Sequence, residues 1–553
     1  MTKALEGALA GAGAALDAAC ESIKRELKDD ICRQTVMWLK AAAPAGARIK
    51  IDSRTIEQGD VFAAIRGGSV DGLSYAQVAA SRHASAMLVE ERDDVLGKNA
   101  GLPVHVVPGL KDLLGEIASL FYGEPSRHMR GAAVTGTNGK TSVSHWTADA
   151  LTRLHHPCAV IGTIGTSLAG KALDAPPLTT PDAASLQEIL FEAYEKGAQA
   201  FAMEASSIGL EQGRMRGTRI ETAAFTNLTR DHLDYHATLE AYEKAKSILF
   251  DWPELKNAVI NIDDEAGVRL ARRTLSRGIR TITYSLAGKT MEGAEALNAT
   301  DIVNADQGIA FAVHWQGKSL LVASHVIGRF NVSNLLAAAG ILLTFGIAPE
   351  AVFSELENLR APAGRIEPVT VPGADGQKSP LVIVDYAHTP DALTKVLAAL
   401  SEVKKARGAS RLWVVFGAGG DRDHGKRPLM GAAASAAADE VVITSDNPRS
   451  EDPQAIAEAV AAGVKDGTRP RIILDRRSAV LEAVCAARPE DIVLIAGKGH
   501  ETYQEVRGVR YPMSDVQLAR EALIERRTQE LRRREQGQAQ DAHDPDGAGS
   551  NQF

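Results

Sequence analysis

From about residue 46 to residue 500 the chain repeats one pattern: a short apolar run, a small turn, then a helix-like stretch. "ARIKID", "DVFAAI", "SAMLVE" and "PVHVV" read as strands, followed by a helix over "LKDLLGEIASLFYG". A second series opens with "AAVTG" and runs through "PCAVIG", "AFAMEAS", "TAAFTNL", "NAVINID" and "IRTITYS", with "QEILFEAYEKG" and "LEAYEKAKSILF" as interleaved helices. "GIAFAVHWQGKSLLVAS" reads as a β-hairpin before the helix "NVSNLLAAAGILLTFG". The third series is "PLVIVDYAH", "RLWVVFGAGG", "DEVVITSD", "RIILD" and "DIVLIAGKGH". Strands that alternate with helices pair in parallel, because each helix returns the chain to the same edge of its sheet. The expected fold is therefore α/β with parallel sheets.

At 553 residues the chain is too long for one core, and the linkers "EPSRHMRG" and "LRAPAGRIEPV" divide it. We expect an N-terminal extension over 1–45, partly helical, then a smaller N-terminal α/β domain over 46–125. A central domain over 126–360, a C-terminal domain over 361–525 and a charged, disordered tail over 526–553 follow. The net charge of −8 argues against nucleic acid as a bulk partner. No apolar stretch reaches the roughly 18 residues of a membrane span. The Ala/Gly-rich N-terminus is expected to be an extension rather than a signal peptide, since Glu6 interrupts its apolar region and Asp17 ends it. Cys20, Cys32, Cys158 and Cys485 form no CxxC pair and no metal-ligand spacing, which suits a reducing, cytoplasmic setting.

"AVTGTNGKTS" has the context of a phosphate loop: strand, glycine turn, Lys140, Thr141, then a helix. Gly136, Thr137, Asn138, Gly139 and Ser142 complete it. Backbone N–H groups and the helix N-terminus would cradle phosphate, Lys140 would neutralise it, and Thr141 would ligate Mg²⁺. Val134 stands where the GxxxxGK[ST] pattern has its first glycine, and a turn without a nucleotide role is the competing reading. Glu204 in "AMEASS" ends a strand and His232 in "FTNLTRDHLDYH" follows another. Either alone is more often a solvated group; beside a phosphate loop they favour a Mg²⁺-ATP site. Lys244 and Lys246 are two apart on a helix, so at most one faces that site. Arg449 in "TSDNPRSEDP" follows the strand "DEVVI" and precedes a helix capped by Asp452 and opened by Pro453. Strand C-termini are where α/β proteins place ligands, and turn chemistry alone asks for no arginine there.

Together "VTGTNGKT", "MEASS", "TNLTRDHLDYH", "GRFNVSNLLAA", "APAGRIE", "VDYAHTPDAL", "VFGAGGDRDHGKRPLMG", "DNPRSEDP" and "AGKGHETYQ" resemble the Mur ligases of peptidoglycan synthesis. Within them the likeness is to the branch that adds the third stem-peptide residue to UDP-MurNAc-L-Ala-D-Glu. It spans roughly residues 46–520. It implies a three-domain architecture with a central P-loop ATPase-like sheet and a Rossmann-like C-terminal domain. It also implies ATP-dependent amide formation through an acyl phosphate, with Mg²⁺ held by Thr141, Glu204 and His232. The family's carbamylated lysine, derived from CO₂, falls on Lys246. Asn331 matches its adenine contact, Arg365 and Asp385 its ATP phosphate and ribose contacts, and His388 is a further catalytic candidate, with a capped turn as the rival.

For the nucleotide-sugar the resemblance implies Ile51, Ser53 and the turn Gly68, Ser69, Val70. Thr179 and Thr180 of "PLTTPD" follow, then Ser206, Gln212 and Arg214 of "SSIGLEQGR". Leu178 stands where relatives have asparagine. The "DNPR" motif, Asp446, Asn447, Pro448 and Arg449, is the family's meso-diaminopimelate signature, joined by Arg422, Gly497 and Glu501. A guanidinium pairs two-pronged with the carboxylate that distinguishes meso-diaminopimelate from lysine. Folylpolyglutamate synthetase, the D-Ala-D-Ala-adding Mur ligase and a catalytically dead scaffold are the rivals. "IDSRTIEQGDVF", "DNPR" and the intact charged set disfavour them in turn. A monomer without membrane insertion or nucleic-acid partner is expected.

Overall fold

The computed structural model describes residues 2–67, 71–90, 100–305, 308–371, 379–408, 411–465 and 467–541. The chain forms two compact units. One comprises Met1–Thr135, Leu151–Ala224 and Glu243–Ala258; the other comprises Gly136–Ala150, Phe225–Tyr242 and Val259–Phe553.

In the first unit the strands Ile49–Lys50, Val61–Ala63, Ala86–Val89 and Val104–Val106 lie in sequence order, all parallel. The helix Leu110–Phe121 turns Leu110, Leu113, Leu114 and Ile117 onto them. The N-terminal extension is one helix, Thr2–Ala42, and its last turns belong to that same core through Cys32, Val36 and Leu39. Farther along, Arg130–Thr135, Ala200–Glu204 and Cys158–Gly162 pair in parallel, with Val134 opposite Glu204 and Ile161 opposite Met203. These three strands are buried almost throughout, as expected of parallel strands covered on both faces.

In the second unit Arg280–Ser285 pairs in parallel with Glu295–Ala305, which pairs antiparallel with the hairpin Gly308–Trp315 and Lys318–Ser324. Trp315 faces Lys318 across Gln316-Gly317, both at positive φ (48 and 77), the conformation of a tight hairpin turn. The strand 295–305 is polar, "EALNATDIVNA", and sequence periodicity does not single it out. The C-terminal sheet runs Glu367–Val369, Leu381–Asp385, Ile492–Ala496, Leu412–Phe416, Glu440–Ile443, Arg471–Ile472; its first strand alone is antiparallel. Adjacent parallel strands 492–496, 412–416 and 440–443 therefore release "GKGHE", "GAGGDRD" and "TSDNPR" at one edge.

The helix Asp515–Asp541 buries Leu518, Ala519, Ala522 and Leu523 in the C-terminal core. Past the expected boundary at 525, Arg526 still bonds the carbonyls of Val484, Cys485 and Ala487. The expected tail is thus helical as far as Asp541, and 542–553 lie outside the described residues.

Candidate active site

In the second unit the glycine loop is stapled to the segment after strand Thr222–Phe225. Thr137 N–H donates to the Asn227 carbonyl at 2.8 Å and Asn138 N–H to Asn227 Oδ1 at 3.0 Å. Thr226 Oγ1 and Asn227 Nδ2 donate to the Asn138 carbonyl at 2.6 and 3.1 Å. Gly136 and Gly139 sit at φ 147 and 90, and a Cβ on them would lie 1.9 Å from Thr226 Oγ1 and 2.3 Å from Asn334 Oδ1. Only glycine fits either place. Lys140 opens the helix Lys140–Arg153, and its ammonium folds back to the carbonyls of Gly136 and Thr137, 2.9 Å each. Thr141 and Ser142 follow, both buried.

Groups expected from distant motifs meet this loop. Arg365 Nη2 donates to Thr141 Oγ1 at 3.1 Å while its guanidinium lies 4.5 Å over the Tyr386 ring. Asn331, buried in the helix Arg329–Thr344, accepts from Asn334, the residue against Gly139. The Asp385 carboxylate accepts the N–H groups of Ile366 and Ala387, 2.7 Å each. Burial pushes its pKa up against the pull of Arg365. His388 pairs through Nδ1 with the Tyr386 carbonyl at 2.9 Å. Burial first, and Lys426 second, lower its pKa, so Nδ1 donates and Nε2 is left as an acceptor at neutral pH. Near it, burial pushes Asp231 up, but His232, His388 and Lys140 together outweigh burial and hold it low. His232 is half exposed and at positive φ (53), its Nε2 3.6 Å from Asp231.

Three groups here were not singled out from the sequence. Asp391 accepts from Asn138, Thr229 and Lys395 through one oxygen, at 3.1, 3.0 and 2.9 Å. Lys426, lowered in pKa by burial, feels Asp231, Asp446 and Asp423. Lys498, fully buried, donates to Asn447 Oδ1 at 3.0 Å and Glu501 Oε2 at 2.8 Å. A lysine inside a familiar motif gives no sequence signal of burial.

At the edge of the C-terminal sheet, Asn447 also donates to Glu501 at 3.0 Å and accepts the Glu505 N–H at 2.9 Å. Asp446 is buried, and a Cβ on Gly497 would lie 2.7 Å from its Oδ2. Pro448 packs its carbonyl where a Cβ of Gly420 would stand. Arg449 Nη1 donates to the Gly420 carbonyl at 2.7 Å. Arg422 is exposed, its side chain beside Gly419, which also lies against the Arg449 guanidinium. Asp452 caps the helix Pro453–Ala461, as the sequence predicts.

In the first unit a second set converges. Both oxygens of buried Glu204 accept from Thr163, N–H at 2.8 Å and hydroxyl at 3.1 Å, and the Thr163 hydroxyl also reaches Thr179. Thr180 donates to the Glu204 carbonyl at 2.8 Å, and its hydroxyl lies 3.0 Å from Ser206 Oγ. Arg214 donates to the Thr180 carbonyl and, from two nitrogens, to Gln212. Lys246 is buried and Lys244 exposed, so only Lys246 turns inward. Ser53 is buried in a short turn capped by Asp52, with Ile51 at the edge of the core. Gly68, Ser69 and Val70 lie outside the described residues. Among the described residues no three His, Cys, Asp or Glu side chains form a ready-made metal site. Mg²⁺ beside a triphosphate asks for only one or two protein oxygens, and within the second unit the Thr141 hydroxyl has that chemistry.

Three family descriptions match successive parts of the chain. "Mur ligase family, catalytic domain" covers residues 47–122, "Mur ligase middle domain" 134–342 and "Mur ligase, glutamate ligase domain" 329–499. The chain belongs to the Mur ligase family, ATP-dependent enzymes of three-domain α/β fold. A UDP-N-acetylmuramoyl-L-alanyl-D-glutamate--2,6-diaminopimelate ligase of Janthinobacterium sp. (strain Marseille) is 46% identical over 496 residues, covering 88% of this chain and 96% of the relative. One of the same name from Ralstonia nicotianae is 46% identical over 497 residues, covering 88% and 95%. A solved structure of a ligase of that name matches with TM-score 0.60 and 37% identity, covering 87% of this chain and 95% of that one.

Proposed function

We propose that this chain joins the D-glutamyl carboxylate of UDP-MurNAc-L-Ala-D-Glu to an amine of meso-diaminopimelate, converting ATP to ADP and phosphate in peptidoglycan synthesis. The observation that carries the choice of amino acid is Arg449, offered at the edge where three strand ends deliver "GKGHE", "GAGGDRD" and "TSDNPR". Relatives bearing the name of this activity, 46% identical over nearly their whole length, support the rest.

The reaction brings two anions together. The carboxylate oxygen attacks the γ-phosphorus, the bond to the β-phosphate oxygen breaks, and ADP leaves. The amine then adds to the acyl phosphate carbonyl, loses a proton, and phosphate departs as the amide forms. Lys140, the loop N–H groups and Arg365 supply fixed positive charge to the phosphates. Asn331 and Asp385 are the adenine and ribose contacts, and His388 is the neutral acceptor near the reacting groups. Mg²⁺, when bound, further screens the triphosphate, and Thr141, Glu204 and His232 are the residues assigned to it. Ile51, Ser53, Thr179, Thr180, Ser206, Gln212 and Arg214 bind the nucleotide-sugar peptide. Lys246, buried where its neighbour Lys244 is exposed, carries a carbamate. ¹³C NMR with labelled bicarbonate tests this, and no carbamate signal, or one retained in Lys246→Arg, sinks it. The enzyme is read as a cytoplasmic monomer, ATP and a UDP-sugar being cytoplasmic substrates.

The test is phosphate release with Mg²⁺-ATP and UDP-MurNAc-L-Ala-D-Glu, comparing meso-diaminopimelate with L-lysine. Strong release with the former alone supports the reading. Equal release keeps the ligase and removes the role of Arg449. Release with neither amino acid overturns the assignment.

A further inference from the structure

Arg449 holds a left-handed backbone, φ 51, which a residue with a side chain keeps only when its neighbours over-determine it. Two sets of neighbours do so. The hairpin Tyr503–Val506 and Val509–Pro512 carries the backbone: Arg449 N–H donates to the Glu505 carbonyl at 3.1 Å, and Arg507 N–H donates to the Arg449 carbonyl at 2.7 Å. The guanidinium is set separately, through its bond to the Gly420 carbonyl. Gly420 is itself clamped, its N–H on the Asn447 carbonyl at 2.9 Å and its Cα so close to Pro448 that a Cβ would stand 2.0 Å from that carbonyl.

One ion pair grips the residues on either side of Gly420. The Glu451 carboxylate accepts the Asp421 N–H at 2.5 Å and Arg427 Nη2 at 2.8 and 2.9 Å. The same Arg427 nitrogen lies 3.4 Å from the Gly419 carbonyl. The Arg427 side chain is only 5% exposed, so its charge has little water to fall back on. Asp421 returns the contact by accepting the Ser450 hydroxyl and N–H. Thus the turn 419–421 is tied to the segment that bears Arg449 by charge as well as by backbone fit.

We propose that the Arg427–Glu451 pair is the positioning device for amino-acid selection: through the Gly420 carbonyl it aims the Arg449 guanidinium at the second carboxylate of the incoming amino acid. This rests on the diaminopimelate reading above. Two-pronged pairing of guanidinium with carboxylate is angular, so a loosened turn weakens recognition of that carboxylate and leaves phosphoryl transfer intact.

Initial rates with meso-diaminopimelate and L-lysine are to be compared for the wild type, Glu451→Gln, Arg427→Lys and the exposed control Glu458→Gln. In the first two variants KM for meso-diaminopimelate should rise about tenfold or more, with kcat and the KM for ATP within about twofold. The kcat/KM preference over lysine should fall by a similar factor, and the control should match the wild type. A purely structural role would lower kcat and thermal midpoint for both amino acids in parallel and leave the preference unchanged; that result overturns the proposal. Should Glu451→Gln fail to fold, Arg427→Lys, which keeps the charge and loses the reach, is read by the same criterion. A wild type without preference fails the diaminopimelate reading itself, which is a distinguishable outcome.

Discussion

In the function proposed above, substrate choice turns on Arg449. Replacing it by methionine removes the partner of one carboxylate while keeping much of the side-chain bulk. An unpaired buried charge costs a few kcal/mol, so kcat/KM for meso-diaminopimelate should fall by about a hundredfold or more, with the KM for ATP unmoved; steady-state kinetics measures both. His388 gives a pH test. Its folded-state pKa lies below the ordinary 6.5, through burial and then Lys426. The unfolded imidazole therefore binds its proton more strongly. The folded state has its full stability above 6.5 and loses it as pH falls from there toward the depressed value. Thermal midpoints measured across that range should drop for the wild type and drop less for His388→Gln. Glu451 behaves oppositely: Arg427, first among its partners, holds it near about 2 against an ordinary 4.5, so its stabilisation persists above 4.5 and is lost only toward 2.

Among the elements, the phosphate loop and the ends of the C-terminal strands have little tolerance. Gly136→Ala drives a methyl group to within 1.9 Å of Thr226 Oγ1 at φ 147, and nucleotide binding by calorimetry should be lost while the fold survives by circular dichroism. Arg476 and Asp515 form a bidentate pair at 2.7 Å per bond, both side chains fully buried. Arg476 also donates to the carbonyls of Ser445 and Ala496, joining the helix 515–541 to the strand ends that precede Asp446 and Gly497. Arg476→Met leaves Asp515 charged, buried and unpartnered by arginine. It should destabilise the protein by about 3–5 kcal/mol, read in urea unfolding.

For the molecule as a whole, each unit keeps its own core, yet each is assembled from three stretches of chain. Removing residues 1–42 deletes Cys32, Val36 and Leu39 from the core they share with Leu113 and Ile117. That truncation should lower the thermal midpoint by several degrees, since each buried aliphatic such as Val36 or Leu39 contributes about 1.5–3 kcal/mol. Among the described residues no helix is long and apolar enough to cross a membrane.

The order of strands and helices, the glycine loop, the cap at Asp452 and the position of Arg449 at a strand end were all legible in the sequence. Each is set by local periodicity or turn chemistry, which a linear reading preserves. The polar strand 295–305 and the hairpin 503–512 were not, because their pairing partners, and no apolar alternation of their own, hold them in place. Composition likewise set the last domain boundary at 525, whereas Arg526 bonds three carbonyls some forty residues away. Spacing allowed only one of Lys244 and Lys246 to face inward; packing chose Lys246. Burial of Lys498, and the pairing of Arg427 with Glu451 that steadies Arg449, belong to the tertiary structure alone. The sequence by itself determined which chemical groups are present and at which strand ends they emerge. The tertiary structure decided which charges are withdrawn from water and with whom they pair, because burial and partnership depend on residues brought together from far apart in the chain.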